Sequence, residues 1–299
     1  MLKLSSVLGN SQRLDGGAMF GNAPRALWQR WVAPDELGRI PLACRAFVAD
    51  DGARRILIET GIGAFFEPAL RERYGVVEER HVLLDSLRAL GYAATDIDWV
   101  ILSHLHFDHA GGLLAAYSAG EPPRLAFPNA RVIVSRSAFE RAEHPHARDR
   151  ASFIAELPAL LKSSGRLELV SSSAELSALL GAKFEARVTS GHTVGMLHTW
   201  VTGARASAFF CADLVPGAAW VHLPVTMGYD RFPELLIDEK AELFAELGVR
   251  GAHCLFTHDS ELAAARIERD ARGRYAVRDA VHEFQSWDLD EQAAPVASA

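Results

Sequence analysis

Short apolar runs that stop abruptly at polar residues alternate along this chain with longer stretches whose apolar positions recur every three to four residues. The first pattern predicts strands over 44–49, 55–59, 98–103, 131–135, 167–170, 184–189, 197–202, 206–211 and 252–256. The second predicts helices over 78–90, 137–143, 154–163, 234–247 and 260–271. Asp230-Arg-Phe-Pro233 followed by Glu234 suits a helix start, because a first-turn proline forfeits no hydrogen bond and an early acid suits the helix dipole. Gly248 is the expected stop of that helix. Alternating strands and helices without a linker, charge block or repeat predict one α/β domain over 1–290. The small-residue tail 291–299 is expected to fray. Two excursions interrupt the framework and are candidate lids: 16–38, with Phe20, Trp28 and Trp31, and 138–166, with His144 and His146.

Composition narrows the class. Apolar residues make up 49% and charged residues 23% of the 299, the balance of a globular protein with a substantial core. A net charge of -7 with scattered basic residues argues against a nucleic-acid partner. Cys44, Cys211 and Cys254 are odd in number and lie inside apolar runs, as buried thiols of a reducing compartment do. The N-terminus has no signal-peptide pattern, and no apolar run approaches the roughly 18–20 residues that span a bilayer. The expected location is the cytoplasm, with no membrane partner.

The chemistry concentrates in Ser103-His-Leu-His-Phe-Asp-His-Ala-Gly-Gly112, directly after the apolar run 99–102. On an extended backbone His104 and His106 point to one side and Leu105 and Phe107 to the other. Asp108 and His109 then suit a second ion close to the first. His192, Asp213 and His258 each stand just beyond another apolar run, where α/β folds place reacting groups. Five histidines and two aspartates form a nitrogen/oxygen set for Zn²⁺, Mn²⁺, Fe or Co. With one bridging carboxylate it divides into His104, His106 and His192 around one ion, Asp108, His109 and His258 around the other, and Asp213 between them. His81, His144, His146, His222, His253 and His282 read as ordinary surface or hydrogen-bonded core histidines.

His104-Leu-His-Phe-Asp-His109, with Gly191-His192, Asp213 and His258 in order, resembles the signature of the metallo-β-lactamase superfamily. Ile56-Leu-Ile-Glu-Thr-Gly61 resembles its early strand and turn, with Glu59 where an aspartate is more usual. The resemblance implies a four-layer αβ/βα sandwich, two divalent metal ions with zinc foremost, and a homodimer, for which the apolar N-terminal excursion is the sequence-level motive. The 14–20 opening, Ile40-Pro-Leu42 and Leu223-Pro-Val-Thr-Met-Gly-Tyr-Asp230 look like the branch that holds quorum-quenching acyl-homoserine lactonases of the YtnP type and the methyl parathion hydrolases.

That branch implies hydrolysis of a lactone such as an N-acyl-homoserine lactone by a metal-bridging hydroxide, Asp213 bridging and Asp108 moving a proton to the leaving group. The alternative is a broader esterase or phosphotriester hydrolase. Similar lactonases carry a tyrosine shortly after the bridging aspartate. Asp213-Leu-Val-Pro216 has none, which leaves Tyr229 and His222 as alternative donors to the carbonyl. Met19, Phe20, Trp28, Phe107 and Trp220 are the expected apolar walls of the substrate pocket.

Overall fold

The computed structural model describes residues 1–297; Ser298 and Ala299, the end of the tail expected to fray, lie outside the described residues. The first half of the chain supplies β1 (Lys3–Leu8), β2 (Gln12–Asp15), β3 (Arg39–Leu42), β4 (Arg45–Asp50), β5 (Arg55–Ile58), β6 (Trp99–Ile101), β7 (Arg131–Ser135) and β8 (Leu167–Val170). The second half supplies β9 (Phe184–Thr189), β10 (Met196–Thr202), β11 (Ser207–Phe210), β12 (His253–Leu255), β13 (Ala264–Arg269), β14 (Tyr275–Val281) and β15 (Trp287–Asp288). They assemble into a seven-stranded sheet, β15-β1-β4-β5-β6-β7-β8, a six-stranded sheet, β14-β13-β12-β11-β10-β9, and the ribbon β2-β3.

Strand alternation explains the layering. Phe47, Ile56, Ile58, Ile101 and Ile133 face the second sheet and pack with Phe184, Trp200, Phe209 and Leu255. Their neighbours Ala46, Val48, Leu57, Val100 and Val132 face the other way, onto the helices Val82–Ala89, Arg136–Glu143 and Leu157–Ser163. A strand buried on both faces is a near-continuous apolar run, which is what the sequence shows here. Leu236, Leu243, Phe244 and Leu247 of the helix Pro233–Arg250 cover the second sheet, completing a four-layer αβ/βα sandwich. No helix among the described residues is long and apolar enough to cross a membrane.

Several elements differ from expectation for identifiable reasons. The 260–271 stretch is a strand, β13, because pairing with β12 and β14 overrides the helix propensity of its alanines. Ala263, Ala264 and Ala265 are fully buried there. β1 escapes the pattern because Ser5 and Ser6 occupy positions an apolar residue would mark; their hydroxyls instead bond the 284–286 backbone. The helix expected from 78 begins at Val82, where Asn10 caps it by accepting from the Val82 N–H, a partner remote in sequence. The last long helix runs through Gly248 to Arg250, and Gly251, in the left-handed conformation, ends it by donating to Leu247. The helix expected at 154–163 starts at Leu157.

Inside that long helix Lys240 is fully buried and donates to the carbonyls of His222, at 3.2 Å, and Val225, at 2.9 Å. Burial lowers its ammonium from 10.5 to about 7, with Asp230 opposing. The folded chain therefore loses this proton before the unfolded chain does. The penalty is full below about pH 7 and gone above 10.5, so stability from this group rises through that window. Lys240→Met should flatten the rise in urea midpoint between pH 7 and 10. An undiminished rise would place the titration on another group.

Candidate metal centre

β6 lies between β5 and β7 in parallel and ends at Ile101, which delivers 103–109 to one edge of the first sheet. β11 and β12 are parallel, and β9 shares their sense across the antiparallel β10, so His192, Asp213 and His258 leave the second sheet at one edge. The two edges meet. His106 lies on extended backbone, whereas Phe107–Ala110 forms a helical turn that the alternation argument misses. The Gly111-Gly112 turn is pressed against 60–63: a Cβ on Gly112 would lie 2.0 Å from the Thr60 carbonyl oxygen. Only glycine permits that approach.

Donor atoms converge in three overlapping groups: His104 with His106 and His192, His104 with His109 and Asp213, and Asp108 with His109 and His258. His106 Nδ1 and His192 Nε2 are 3.3 Å apart, and His109 Nε2 and His258 Nε2 are 3.2 Å apart. Two nitrogens bound tetrahedrally at about 2.0–2.1 Å from one ion sit about 3.3 Å apart, so both spacings fit ligands of a shared cation. His104 Nε2, His106 Nε2 and Asp213 Oδ1 are buried without a hydrogen-bond partner. Asp213 Oδ1 nevertheless lies 3.3 Å from His109 and 3.2 Å from His258, and Oδ2 lies 3.1 Å from His192, between the groups. Orphaned buried atoms are costly in a folded protein, and a cation would satisfy His104 Nε2 and Asp213 Oδ1, while His106 turns Nδ1, not Nε2, toward the cluster. These clusters suit a metal pair.

The far side of four of the five rings is held. His104 Nδ1 meets Ser103 Oγ at 2.9 Å, His109 Nδ1 meets Glu59 at 3.2 Å, His192 Nδ1 meets Asp230 at 2.8 Å and His258 Nδ1 donates to the Ala43 carbonyl at 2.7 Å. That pattern fixes the tautomer and turns Nε2 inward. Burial, and then the charge of neighbouring histidines, pushes His104 and His106 well below the usual range, keeping them neutral as ligation requires. Burial also disfavours charge on His109, His192 and His258, but Asp213 outweighs it and raises all three. Asp213 in turn resists the upward push of burial and drops well below the carboxylate range beside those rings. Positive charge beside Asp213 is what the site demands, and a divalent ion would supply it.

A cavity of about 150 Å³ opens over His106, Asp108, His192, Asp213 and His258. Of the expected pocket residues, Met19, Phe107 and Tyr229 line it. Phe20, Trp28, Trp220 and His222 do not. Phe20 is stacked between Trp28, at 5.5 Å, and Trp220, at 4.6 Å, in a buried cluster of its own, because a flat three-ring stack hides more surface than a pocket wall would. His222 stacks on Trp31 away from the cavity. Leu14, Tyr74, Ala151, Ser152 and Met227 complete the wall. Leu14 and Met227 lie within stretches that sequence marked as distinctive, and Ala151 and Ser152 within the candidate lid 138–166; Tyr74 reaches the cavity through tertiary packing.

Residues 39–278 match the metallo-beta-lactamase superfamily. The chain belongs to that family. Its four-layer sandwich is the superfamily's fold. A probable metal-dependent hydrolase from Staphylococcus aureus superposes with a TM-score of 0.81 at 24% identity, over 93% of this chain and 97% of that one. AidC, a dizinc quorum-quenching lactonase solved with its product, superposes with a TM-score of 0.70 at 20% identity, over 93% and 94% of the two chains. An N-acyl homoserine lactonase from a Bacillus species is 30% identical over 125 residues, 38% of this chain and 44% of that relative. The matched stretch thus spans less than half of the relative's length.

Glu59 stands apart because it adopts φ 72°, a left-handed backbone that non-glycine residues rarely occupy. Its carboxylate accepts from the Ser103 amide, the Ser103 hydroxyl and His109 together, so one side chain orients His109 directly and His104 through Ser103. Glu59→Gln should weaken metal affinity by about 10- to 100-fold in chelator competition. Unchanged affinity would show that the rings are held without it.

Proposed function

We propose that this chain opens the ring of a lactone, with N-acyl-homoserine lactones the substrate class. The observation that carries this reading is one cavity that joins a floor of ligand-type side chains to an apolar wall of Leu14, Met19, Phe107 and Met227. The floor suits an ester group and the wall an acyl chain. His104, His106 and His192 would hold one ion and Asp108, His109 and His258 the other, with Asp213 between them. We assign zinc, which suits imidazole and carboxylate ligands without thiolate. Such a pair, when bound, supplies a water acidified to about pKa 7 and a Lewis acid for the carbonyl oxygen. Similarity to lactonases supports the choice of ester.

The remaining steps belong to side chains. Asp108 is more exposed than the other ligand-type residues, with oxygens 3.9 Å from His109 and 3.6 Å from His258, so it is placed to carry a proton to the leaving oxygen. Tyr74 spends its hydroxyl on the Ala151 carbonyl, which leaves Tyr229 as the wall's phenolic donor. Burial, with the charges of Asp108 and Asp15, raises the Tyr229 phenol above its usual value, so it keeps its proton and can donate to the carbonyl. Gly228 holds it in place by donating to Ala18 and accepting from Arg148. A cytoplasmic location and a homodimer belong to the same reading; three buried free thiols and the exposed Leu27 and Leu37 of the N-terminal excursion support them.

A broader esterase or phosphotriester hydrolase is the second reading. It is favoured by the wall itself, which carries no charged group besides the floor to select one acyl substrate. The rates of the zinc-loaded protein on an acyl-homoserine lactone and an aryl phosphotriester decide between them. Lactone turnover should dominate; turnover of the phosphotriester alone would replace the first reading with the second. Tyr229→Phe should lower kcat on the lactone by about 10- to 100-fold with metal content unchanged. An unaltered kcat would remove Tyr229 from the reaction.

A further inference from the structure

Asp149 is a buried carboxylate that the hydrolytic reading does not use. Its Oδ2 accepts from Arg141 Nε at 3.0 Å and Nη2 at 2.6 Å, and Arg231 Nε lies 3.8 Å from the same oxygen. Two guanidinium groups thus share one carboxylate. Arg231 Nε and Nη1 and Asp149 Oδ1 are buried and have no hydrogen-bond partner among the described residues. A charge so placed has little alternative solvation, so the three side chains hold one another.

They come from three separate segments, two of which border the cavity. Arg141 belongs to the helix Arg136–Glu143, Asp149 precedes the short turn Arg150–Ser152, and Arg231 follows the loop that carries Met227 and Tyr229. Immediately after Asp149, Ala151 and Ser152 line the cavity, and Phe153 pairs its backbone with His106 and lays its ring 4.8 Å from the imidazole. On the opposite side Arg231 donates its N–H to the His192 carbonyl at 3.0 Å. Arg148 adds a second tie across the gap, from Nη2 to the Gly228 carbonyl at 2.8 Å.

We propose that Asp149 is a specificity-determining positioning residue. Clasped by Arg141 and Arg231, it fixes the distance between the 149–153 wall and the 227–231 wall and so limits the width of substrate the cavity admits. The segment 138–166 is thereby a fastened wall in this state. A narrow cavity favours a flat ester or lactone over a bulky tetrahedral phosphotriester. This rests on the hydrolase reading for its substrates, but the clasp itself is a statement about the wall.

The test compares wild type, Arg231→Met and Asp149→Asn, each loaded with zinc. Arg231→Met removes the carboxylate-mediated link across the cavity, one of its two ties, and leaves the Arg141–Asp149 pair intact, so it is the variant that should fold. Amide hydrogen exchange at 150–153 should quicken by about tenfold or more in both variants. In Arg231→Met, KM for a small lactone should rise while kcat changes little, and the ratio of kcat/KM for an aryl phosphotriester over the lactone should rise by about tenfold. Bound zinc should stay at the wild-type level. Wild-type exchange at 150–153 in a folded Arg231→Met overturns the proposal, as does an unchanged substrate ratio with faster exchange. Zinc loss without faster exchange also overturns it, because Arg231 would then act through His192. Wild type inactive on every ester would sink the hydrolytic reading and leave hydrogen exchange to decide the clasp.

Discussion

Five imidazoles and two carboxylates meet, largely shielded from water, at the joined edges of two sheets, and their mutual electrostatics governs much of what surrounds them. Asp213 sits within 3.3 Å of His109, His192 and His258, and in the folded chain its low pKa is sustained by their raised ones. His104 and His106 are held neutral by burial; His104 contributes an Nε2 without a partner and His106 its Nδ1 beside His192. An apolar interior does not tolerate such a set without compensation, and the spacing of the converging nitrogens matches ligands of shared cations. The same charge that compensates the site would also equip it for hydrolysis.

The scaffold meets this demand by placing the ligand-type residues beyond strand ends and fixing the outer face of four of the five rings. β6, β9, β11 and β12 deliver the ligands, and Ser103, Glu59, Asp230 and the Ala43 carbonyl hold four rings from behind. Further out, Glu239 accepts from the Ser190 and Gly191 amides and so braces the approach to His192. Arg45 donates to the carbonyls of Phe256, Asp259 and Leu262 and does the same for the loop of His258. Burial lowers the Arg45 guanidinium to about 10, with Asp259 and other charges opposing, so it remains charged at neutral pH.

Local sequence marks the converging residues well because each is a polar residue standing beyond an apolar strand, a signal that survives without knowledge of the partner strand. The central strands were legible for the same reason: buried on both faces, Ile56–Ile58 and Val132–Val134 are continuous apolar runs. What sequence hides is whatever a distant segment decides. The serines of β1 mask a strand that β4 and β15 define, and the alanines of β13 suggest a helix until β12 and β14 pair with it. The cap of Val82 is Asn10, more than seventy residues earlier. Aromatic residues misled in one direction: Phe20, Trp28 and Trp220 looked like a pocket wall but satisfy each other in a stack, while Ala151 and Ser152, with no distinguishing chemistry, form the wall because Asp149 is held in place.

The central claim is that these seven side chains hold two cations per chain. Native mass spectrometry of the zinc-titrated protein, beside Asp213→Ala, tests it most directly. The account predicts saturation at two zinc ions per chain in wild type and failure of the variant to retain the pair. Saturation at one ion, or an unaltered pair in Asp213→Ala, would contradict it.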